Sequence, residues 1–212
     1  MKVCEIFTSI QGESSYAGLP CTFIRLTGCN LRCSYCDTKY AYDAGIEMTI
    51  DEITDQVLSA GVRLVEITGG EPLLQEKETL SLISNLIKKE FKVLIETNGS
   101  ASIRDIDKQA VIILDIKTPG SGMSEKMDFS NLGYIKPSDE IKFVICDRAD
   151  YDWSKKIISE HNLNKKCEIL FSPVYAKLNP LFLARWIIED RLDVRLNLQI
   201  HKYIFGAEER KV

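Results

Sequence analysis

The sequence predicts an α/β fold, namely an open, partial (abbreviated) β/α barrel whose strands are mostly parallel. Two observations carry this prediction: short runs rich in β-branched residues alternate with helical patterns, and several of these runs are almost continuously apolar. Such runs are typical of strands covered on both faces, and strand–helix–strand repeats pair their strands in parallel. The predicted strands are 21–27, 62–68, 92–97, 111–117, 141–146, 167–172 and 194–201. Seven strands in 212 residues are too few for a closed eight-stranded barrel, so an open barrel is favoured and a doubly wound sheet is the alternative.

Local signals mark the helices between the first strands. Thr49 and Glu52 form a capping-box pattern before an apolar stripe, and Gly61 follows as a stop signal. A second helix is predicted by apolar residues at helical spacing, namely Leu80, Ile83 and Ile87.

The second half of the chain contains a helix start and a long loop. Asn179 and Pro180 suit the N-cap and the first position of a helix over the run LFLARWIIEDR. The stretch 118–140 is rich in Gly, Ser and Pro, which predicts a loop where a helix would be expected, and such loops are often functional. The length and the absence of internal repeats predict that residues 1–212 form a single domain.

Composition and charge narrow the functional class. The net charge is −4 and the pI is about 5.4, whereas a nucleic-acid-binding face is normally basic, so no nucleic-acid partner is expected. Neither a signal peptide nor an apolar run of about 20 residues is found, so we expect no membrane partner and a cytoplasmic location. Seven cysteines at uneven spacing in a reducing compartment indicate metal binding or catalysis, not a disulfide framework.

Polar side chains are predicted at the ends of several strands. The residues in this position are Arg25, Thr27, Thr68, Glu96, Asn98, Asp115, Lys117, Ser172, Gln199 and His201. Because the carboxyl ends of parallel strands open at one edge of a sheet, these side chains should share one ligand site. A cysteine-rich segment follows strand 21–27 and should lie at the same edge.

Three of the cysteines, Cys29, Cys33 and Cys36, form a Cys-x3-Cys-x2-Cys pattern. A structural zinc site would need four protein ligands. Neither histidine is near, and Cys21 lies about 20 Å away along its strand at about 3.3 Å per residue, whereas Cys4 is not excluded. A 4Fe–4S cluster held by three cysteines leaves one iron open to bind a molecule. An iron–sulfur cluster is therefore favoured, and a non-catalytic iron–sulfur or zinc module is the alternative.

The cysteine pattern, with Tyr35 directly before the last cysteine, resembles the signature of the radical S-adenosylmethionine superfamily. A second motif, GGEP at 69–72, follows strand 62–68, as it does in that superfamily. The resemblance implies that S-adenosylmethionine binds the open iron and that reduction of the cluster releases a 5′-deoxyadenosyl radical. No side chain is then assigned as a catalytic acid or base, since the cofactor supplies the radical.

Segments along nearly the whole chain resemble the 7-carboxy-7-deazaguanine synthase family. They are 5–14, 23–33, 36–38, 68–75, 95–100 and 199–203. The resemblance implies a Mg²⁺-dependent lyase that converts 6-carboxy-5,6,7,8-tetrahydropterin to 7-carboxy-7-deazaguanine and ammonia, on the route to 7-deazapurines such as queuosine. It also implies a homodimer and a cellular reductant such as flavodoxin or ferredoxin. A glycyl-radical-enzyme activase carries the same cysteine pattern but acts on a protein, and it is the alternative enzyme.

The resemblance also assigns roles to residues by position. The three clustered cysteines would hold the 4Fe–4S cluster, and Thr38 would donate an oxygen to Mg²⁺, which prefers oxygen ligands. The residues implied to contact the pterin are Ile10, Gln11, Gly12, Glu13, Arg25, Thr68 and His201. The residues implied to contact S-adenosylmethionine are Tyr35, Cys36, Asp37, Gly70, Asp115, Ile116, Lys117, Ser172, Pro173, Val174 and Tyr175.

The chemistry of several of these side chains suits a pterin. Arg25 stands between Ile24 and Leu26, so it faces away from them and could bind a carboxylate through two parallel hydrogen bonds. Gln11 could match the ring edge, and Glu13 could accept from the exocyclic amine and the ring N–H. Some members of the family end in a proline that closes over the substrate, whereas this chain continues as IFGAEERKV. We therefore make no prediction of how the C-terminal residues close the site.

Structural alternatives stay open for several of these residues. Arg25 could be a surface charge, and Thr38 could be a loop residue that caps the next turn. Asp115 could pair with Lys117, and a lone histidine such as His201 could have a purely structural role.

Overall fold

The computed structural model describes residues 1–206 and shows one mixed sheet with helices packed against it. The strands are β1 (Lys2–Ile10), β2 (Pro20–Leu26), β3 (Ile46–Glu47), β4 (Leu64–Gly69), β5 (Lys92–Thr97), β6 (Val111–Ile116), β7 (Glu140–Ile145), β8 (Glu168–Pro173) and β9 (Arg195–Leu196). The helices are α1 (Ile50–Ala60), α2 (Glu76–Lys88), α3 (Arg148–His161), α4 (Pro180–Glu189) and α5 (Ile200–Phe205). Within residues 1–206, none of the helices combines the length and the apolar character that a membrane crossing requires.

The strand order distinguishes the two predicted architectures. The order is β3-β1-β2-β4-β5-β6-β7-β8-β9, and every pair from β2 to β9 is parallel. Each parallel strand is added beside the previous one, whereas a doubly wound sheet reverses its growth at a switch point. The sheet is open, so the predicted partial β/α barrel is confirmed and the doubly wound alternative is wrong. β1 pairs antiparallel with both β2 and β3.

Side chains along each parallel strand alternate between the helices and the concave side of the sheet. Residues that face the helices form one large core with α1–α4, and Ile24 and Leu26 of β2 are fully buried in it. On the concave side, the half toward the amino ends of the parallel strands, here called the lower half, is apolar. It consists of Cys21, Phe23, Leu64, Leu94, Val111 and Ile113. The upper half is polar and includes Arg25, Glu66, Thr68, Glu96, Asp115, Lys142 and Ser172. The alternation therefore separates a packing surface from a binding surface.

Several predicted elements are confirmed. Thr49 and Glu52 form the capping box of α1, and Gly61 ends that helix in the left-handed conformation. The predicted second helix is α2, in which Leu82, Ile83 and Leu86 are buried while Leu80 and Ile87 pack at the edge of the core. The Asn179 side chain caps α4 by accepting from Leu181 N. Three short 3-10 turns interrupt the loop predicted at 118–140, and its last residue, Glu140, begins β7.

Other elements differ from the sequence prediction. β1 and α3 are not among the predicted elements, and the predicted strand 194–201 is wrong over most of its length. Only Arg195–Leu196 pairs with β8, and the Ile200 N–H donates to the Gly12 carbonyl at 2.9 Å instead of to a neighbouring strand. Gln199 and His201 consequently lie at the start of α5 and not at the end of a strand.

One buried carboxylate attaches the 118–140 loop to the core. Asp150, in the first turn of α3, accepts from Thr118 Oγ1 at 3.0 Å, Gly120 N at 2.7 Å and Cys146 N at 3.0 Å. The turn that it holds then accepts two hydrogen bonds from Ser34, through the carbonyls of Gly120 and Ser121. Asp150 therefore fixes the loop against the cysteine segment.

Replacing Asp150 by alanine should lower the free energy of unfolding by about 3 kcal/mol or more, because three donors lose their buried acceptor. Urea denaturation followed by circular dichroism measures the change. Asp152→Ala removes a half-exposed carboxylate of the same helix that pairs with Arg148, and it should cost less than about 1 kcal/mol. Equal losses in the two variants would contradict the anchoring role of Asp150.

Candidate active site

A cavity of about 590 Å³ lies on the concave side of the sheet, toward the carboxyl ends of the parallel strands. Every residue that the resemblance assigns to a site lines it, except Ile116. Ile116 faces the helices and is buried in the core, so only its backbone is available to a ligand. Thr27 is not in the cavity lining either, and its hydroxyl donates to the Ala44 carbonyl at 2.5 Å. The expectation that Thr27 belongs to the site is therefore wrong.

The cysteine segment brings Cys29, Cys33 and Cys36 to this cavity. The segment begins at Gly28, whose φ of +98° is a conformation that favours glycine. The Gly28 N–H donates to the Ala41 carbonyl at 2.8 Å, so the two ends of the segment are joined. The three thiols are thereby presented from one closed loop.

The Cys29 sulfur is a hydrogen-bond acceptor in this structure. Leu31 N lies 3.4 Å from it and Asn98 Nδ2 lies 3.8 Å from it. Hydrogen bonds to cysteine sulfur are one of the means by which proteins tune iron–sulfur clusters. Burial raises the pKa of the Cys29 and Cys33 thiols, so binding of a metal must drive their deprotonation.

The arrangement of the thiols fits a cluster better than a single ion. Among residues 1–206, no three His, Cys, Asp or Glu side chains converge closely enough to hold one metal ion. A 4Fe–4S cluster requires less convergence, because each cysteine binds a different iron atom. The zinc alternative, with Cys4 as a fourth ligand, lacks the converging ligand set that a structural zinc site needs within this part of the chain.

The glycines of the GGEP segment pack directly against the cysteine segment. A Cβ atom on Gly70 would overlap the Gly28 carbonyl oxygen and would lie 2.8 Å from Cys29 Cβ. The Glu71 N–H donates to the same Gly28 carbonyl at 2.7 Å. Gly69 has a φ of +152°. These contacts fix the two segments relative to each other and leave bare backbone beside the thiols.

The Glu71 side chain has a structural role. It is fully buried, and burial raises its pKa. Its carboxylate accepts from Leu73 N at 3.0 Å, Thr97 Oγ1 at 2.7 Å and Asn98 N at 2.7 Å. Glu71 therefore ties the end of β4 to the end of β5 and orients Asn98 toward the cysteine segment.

The segment after β1 enters the cavity from the opposite side. β1 is antiparallel, and Ile10 pairs with Pro20, the first residue of β2. The Gln11 side-chain amide donates to the Glu66 carboxylate, and its oxygen accepts from Glu13 N at 2.9 Å. Both ends of the Gln11 amide are thus engaged, and its orientation is fixed.

Two charged residues of the cavity, Glu66 and Lys142, were not assigned from the sequence. Their exposed fractions are 4% and 5%, and both lie in the middle of a parallel strand. Burial, followed by the charge of Glu96, raises the pKa of Glu66 well above its usual value. A charged residue inside an apolar strand run is the signal that could have found both, and it is the same signal that marks Arg25.

Arg25 is a partly buried cation and not a surface charge, since its side chain is 17% exposed. Its Nε donates to Glu5 Oε1 at 2.7 Å, and the Tyr40 hydroxyl donates to the same oxygen at 2.9 Å. The guanidinium carbon also lies 5.9 Å from the centre of the Phe7 ring and 6.0 Å from that of Tyr40. These contacts hold Arg25 at the wall of the cavity.

Two polar atoms near the cysteine segment are buried without a hydrogen-bond partner within the described residues, Asp115 Oδ1 and Tyr35 Oη. The other oxygen, Asp115 Oδ2, accepts from Lys117 Nζ at 2.7 Å, so the salt bridge considered from the sequence is present. Buried polar atoms are nearly always paired in native proteins. The two unpaired atoms therefore point to a polar ligand beside the thiols.

Helix α5, which follows β9, lies beside the cavity and contacts both the segment after β1 and the cysteine segment. Its polar contacts run from Ile200 N to Gly12 O (2.9 Å), from Gln199 Nε2 to Glu13 Oε1 (2.9 Å) and from Lys202 Nζ to Asp37 Oδ2 (2.5 Å). His201 packs so closely on Gly12 that a Cβ atom at that glycine would overlap its ring, and burial lowers the pKa of His201. Of the terminal run IFGAEERKV, residues 207–212 lie outside the described residues.

Thr38 also lines the cavity. It stands at the N-cap position of a 3-10 turn, Lys39–Tyr42, but its side chain makes no capping hydrogen bond. Its hydroxyl donates to Asp37 Oδ1 at 2.9 Å. The Thr38 side chain therefore does not cap the next turn, which was the alternative considered from the sequence.

Fold and site together define a radical S-adenosylmethionine enzyme: an open, mostly parallel β/α barrel with three cysteines beside a GGEP segment at one edge of its strands. In agreement, the model of the Radical SAM superfamily matches residues 23–121. The cofactors are accordingly a 4Fe–4S cluster and S-adenosylmethionine.

Full-length relatives define the family more narrowly. The chain is 45% identical to 7-carboxy-7-deazaguanine synthase of Koribacter versatilis over 100% of both chains. It is 46% identical to 7-carboxy-7-deazaguanine synthase of Chlorobaculum tepidum, over 100% of this chain and 97% of the relative. The chain therefore belongs to the 7-carboxy-7-deazaguanine synthase family. Its fold also matches the crystal structure of QueE from Escherichia coli, with a TM-score of 0.78 over 93% of each chain and 23% identity.

Gly70→Ala should displace the cysteine segment, because the added methyl group would overlap the Gly28 carbonyl. A misplacement of about 1 Å costs about a hundredfold in rate, so we expect turnover to fall by about that factor. Iron content and far-ultraviolet circular dichroism, measured on the same samples, separate loss of the cluster from loss of the fold. Gly133→Ala is the control, since a Cβ atom there meets nothing within 4 Å, and wild-type turnover in Gly70→Ala would contradict the close packing.

Proposed function

We propose that this enzyme converts 6-carboxy-5,6,7,8-tetrahydropterin to 7-carboxy-7-deazaguanine and ammonia, as a lyase of 7-deazapurine and queuosine biosynthesis. Relatives that match the whole chain are named 7-carboxy-7-deazaguanine synthase. The observation that carries the proposal is the cavity, which places three thiols, the unpaired oxygen of Asp115 and the Gln11–Glu13 pair around one space. Its volume of about 590 Å³ lies in the range of small-molecule sites.

Cys29, Cys33 and Cys36 are proposed to hold the cluster. When bound, the cluster and S-adenosylmethionine supply the 5′-deoxyadenosyl radical that begins the reaction. The protein's own contribution is placement: Asn98 donates to the Cys29 sulfur, and the Gly70 backbone lies against the same segment. Placement of this kind lowers the barrier because the reacting groups meet in a fixed orientation.

S-adenosylmethionine is proposed to bind along the ends of β4, β6 and β8. The contacting residues are Tyr35, Cys36, Asp37, Gly70, Asp115, Ile116, Lys117, Ser172, Pro173, Val174 and Tyr175. Asp115 supports this placement most directly, because its unpaired Oδ1 can accept from ribose hydroxyls. Ile116 would contribute its backbone alone, since its side chain is in the core.

The pterin is proposed to bind between the segment after β1 and α5. The contacting residues are Ile10, Gln11, Gly12, Glu13, Arg25, Thr68 and His201. Glu13 can accept from the exocyclic amine and the ring N–H, and the fixed amide of Gln11 borders the same edge. Arg25 is a partly buried cation at the cavity wall and can bind the substrate carboxylate. Gln199, His201 and Lys202 line this side of the cavity, where exclusion of water would protect a radical intermediate.

Thr38 is proposed to donate an oxygen to Mg²⁺. Thr38 lines the cavity, and its hydroxyl is not used for helix capping. Mg²⁺ binds hard oxygen ligands and keeps several exchangeable positions, so oxygens of the substrate can complete its coordination.

The alternative enzyme, a glycyl-radical-enzyme activase, would need room for a protein segment. The contacts from α5 to Gly12 and to Asp37 close one side of the cavity, which favours a small substrate. Several expectations stay predictions alongside the proposed reaction: a reductant such as flavodoxin or ferredoxin, a homodimer, a cytoplasmic location, a single domain over residues 1–212, and neither a nucleic-acid nor a membrane partner.

Anaerobic incubation of the reconstituted enzyme with 6-carboxytetrahydropterin, S-adenosylmethionine, Mg²⁺ and dithionite should yield 7-carboxy-7-deazaguanine and one equivalent of ammonia. Mass spectrometry identifies the purine-like product, and an ammonia assay gives the stoichiometry. Omission of S-adenosylmethionine is the control and should abolish both products. Cofactor cleavage without any pterin-derived product would overturn the proposed substrate.

Thr38→Ala should keep the cluster's visible absorbance while Mg²⁺ binding weakens by about tenfold or more, the usual scale of damage to a metal site. The measurement is turnover as a function of Mg²⁺ concentration. Cys33→Ala is the contrasting variant, in which the absorbance and the activity should both be lost. Unchanged Mg²⁺ dependence in Thr38→Ala would remove this residue from the metal site.

A further inference from the structure

Lys142 joins three carboxylates in the middle of the cavity. It lies within β7 on the concave side of the sheet and is 5% exposed. Its Nζ contacts Glu13 Oε2 at 3.0 Å, Asp115 Oδ2 at 3.6 Å and Glu96 Oε1. The three partners come from the segment after β1, from β6 and from β5, so one ammonium group links three separate parts of the cavity wall.

The other cations near this point are engaged elsewhere. The charged and titratable groups facing this region are Glu13, Glu66, Glu96, Asp115, Lys142, Lys117, Arg25 and His201. Lys117 pairs with Asp115 at 2.7 Å, and Arg25 pairs with Glu5. Within residues 1–206, Glu13 and Glu96 form ion pairs with Lys142 and with no other cation.

The charge of Lys142 determines the ionisation of Glu13. Burial alone would raise the pKa of Glu13, but Lys142, with the Gln199 amide and His201, lowers it to about 2. The neighbouring carboxylates in turn raise the pKa of Lys142 well above its usual value, against the effect of burial. Without Lys142, the effect of burial, which raises the pKa of Glu13, would lose its main opposition.

We propose that Lys142 is a positioning residue for the pterin, which keeps Glu13 as a carboxylate and holds it at a fixed place relative to Glu96 and Asp115. This inference rests on the proposed function. The exocyclic amine and ring N–H of a pterin are donors, and an ionised carboxylate accepts at both oxygens. A protonated Glu13 would turn an O–H group toward these donors. Because Lys142 also contacts Asp115, the same cation fixes the pterin side of the cavity relative to the S-adenosylmethionine side.

Equilibrium binding tests this role without turnover. The ligand is 6-carboxytetrahydropterin, and the protein is the cluster-loaded enzyme with S-adenosylmethionine and without reductant. In Lys142→Met, the dissociation constant at neutral pH should rise by about tenfold or more, the scale for loss of one partner of a buried charge pair. Lys142→Arg keeps the charge and should restore most of the affinity.

The pH dependence separates positioning from a merely structural effect. Wild-type binding should persist to the lowest pH at which the cluster stays intact, because the pKa of Glu13 is about 2. In Lys142→Met that pKa should rise above the ordinary value of 4.5, so binding should fall as the pH is lowered through the mildly acidic range. Lys136→Met is the matched control, since it removes an ion pair with buried Asp139 outside the cavity lining and should leave the profile unchanged.

If Lys142→Met does not accumulate as cluster-loaded protein, the double variant Lys142→Met/Glu96→Gln takes its place. It removes one charge of each sign, and Glu13 still lacks its cation, so the same loss of binding at mildly acidic pH is expected. A wild-type pH profile in either variant overturns the inference and leaves the proposed function intact. A wild-type enzyme that binds no pterin overturns both.

Discussion

The alternation of side chains along the parallel strands is the constraint on which both the core and the cavity depend. Neighbouring residues of a strand point to opposite faces, so a shift of one residue would exchange core and cavity side chains. In β4, Ile67 is fully buried against the helices, while Glu66 and Thr68 on either side of it line the cavity. Packing of the apolar residues therefore fixes where the polar residues stand. The positions of the side chains in the cavity therefore depend on the register of the core as much as on contacts among the site residues.

The concave side carries charges that a fold selected for stability alone would avoid. Desolvation offsets much of the attraction within a buried ion pair, so the pairs of Lys142 with Glu13 and Glu96 are weak grounds for stability. The ionised form of Glu66 is disfavoured as well, because burial and a neighbouring carboxylate both raise its pKa. These charges begin only above the apolar lower half that contains Phe23. Local conflicts of this kind are expected where a site must recognise a polar ligand.

The fold class and much of the site could be predicted because their signals are local. Apolar runs identify the parallel strands, and polar residues at their ends identify the edge that holds Asp115. α3 is not predicted from the sequence because it is polar and lacks a clear apolar stripe. Its buried Asp150 accepts hydrogen bonds from residues up to 32 positions away, which no local pattern indicates. Gln11 follows a strand that ends at the opposite edge, so it was found by resemblance alone. A charge inside an apolar strand run marks the position of Lys142, but the sequence gives no local signal for its partner Glu13, which is 129 positions away.

Two segments that are far apart in the sequence, the one after β1 and α5, meet at the site, and this contact explains how so short a barrel can enclose a cavity. β1 and β9 lie near opposite ends of the open sheet. The Gln199 amide nevertheless donates to Glu13, 186 positions away, and Ile200 N donates to Gly12. α5 and the segment after β1 thus fill the side that further strand and helix units would close in a full barrel. A reactive intermediate must be kept from water. α5 and the segment after β1 are short, so they can cover a small ligand. The shortened barrel is therefore compatible with a substrate of the proposed size.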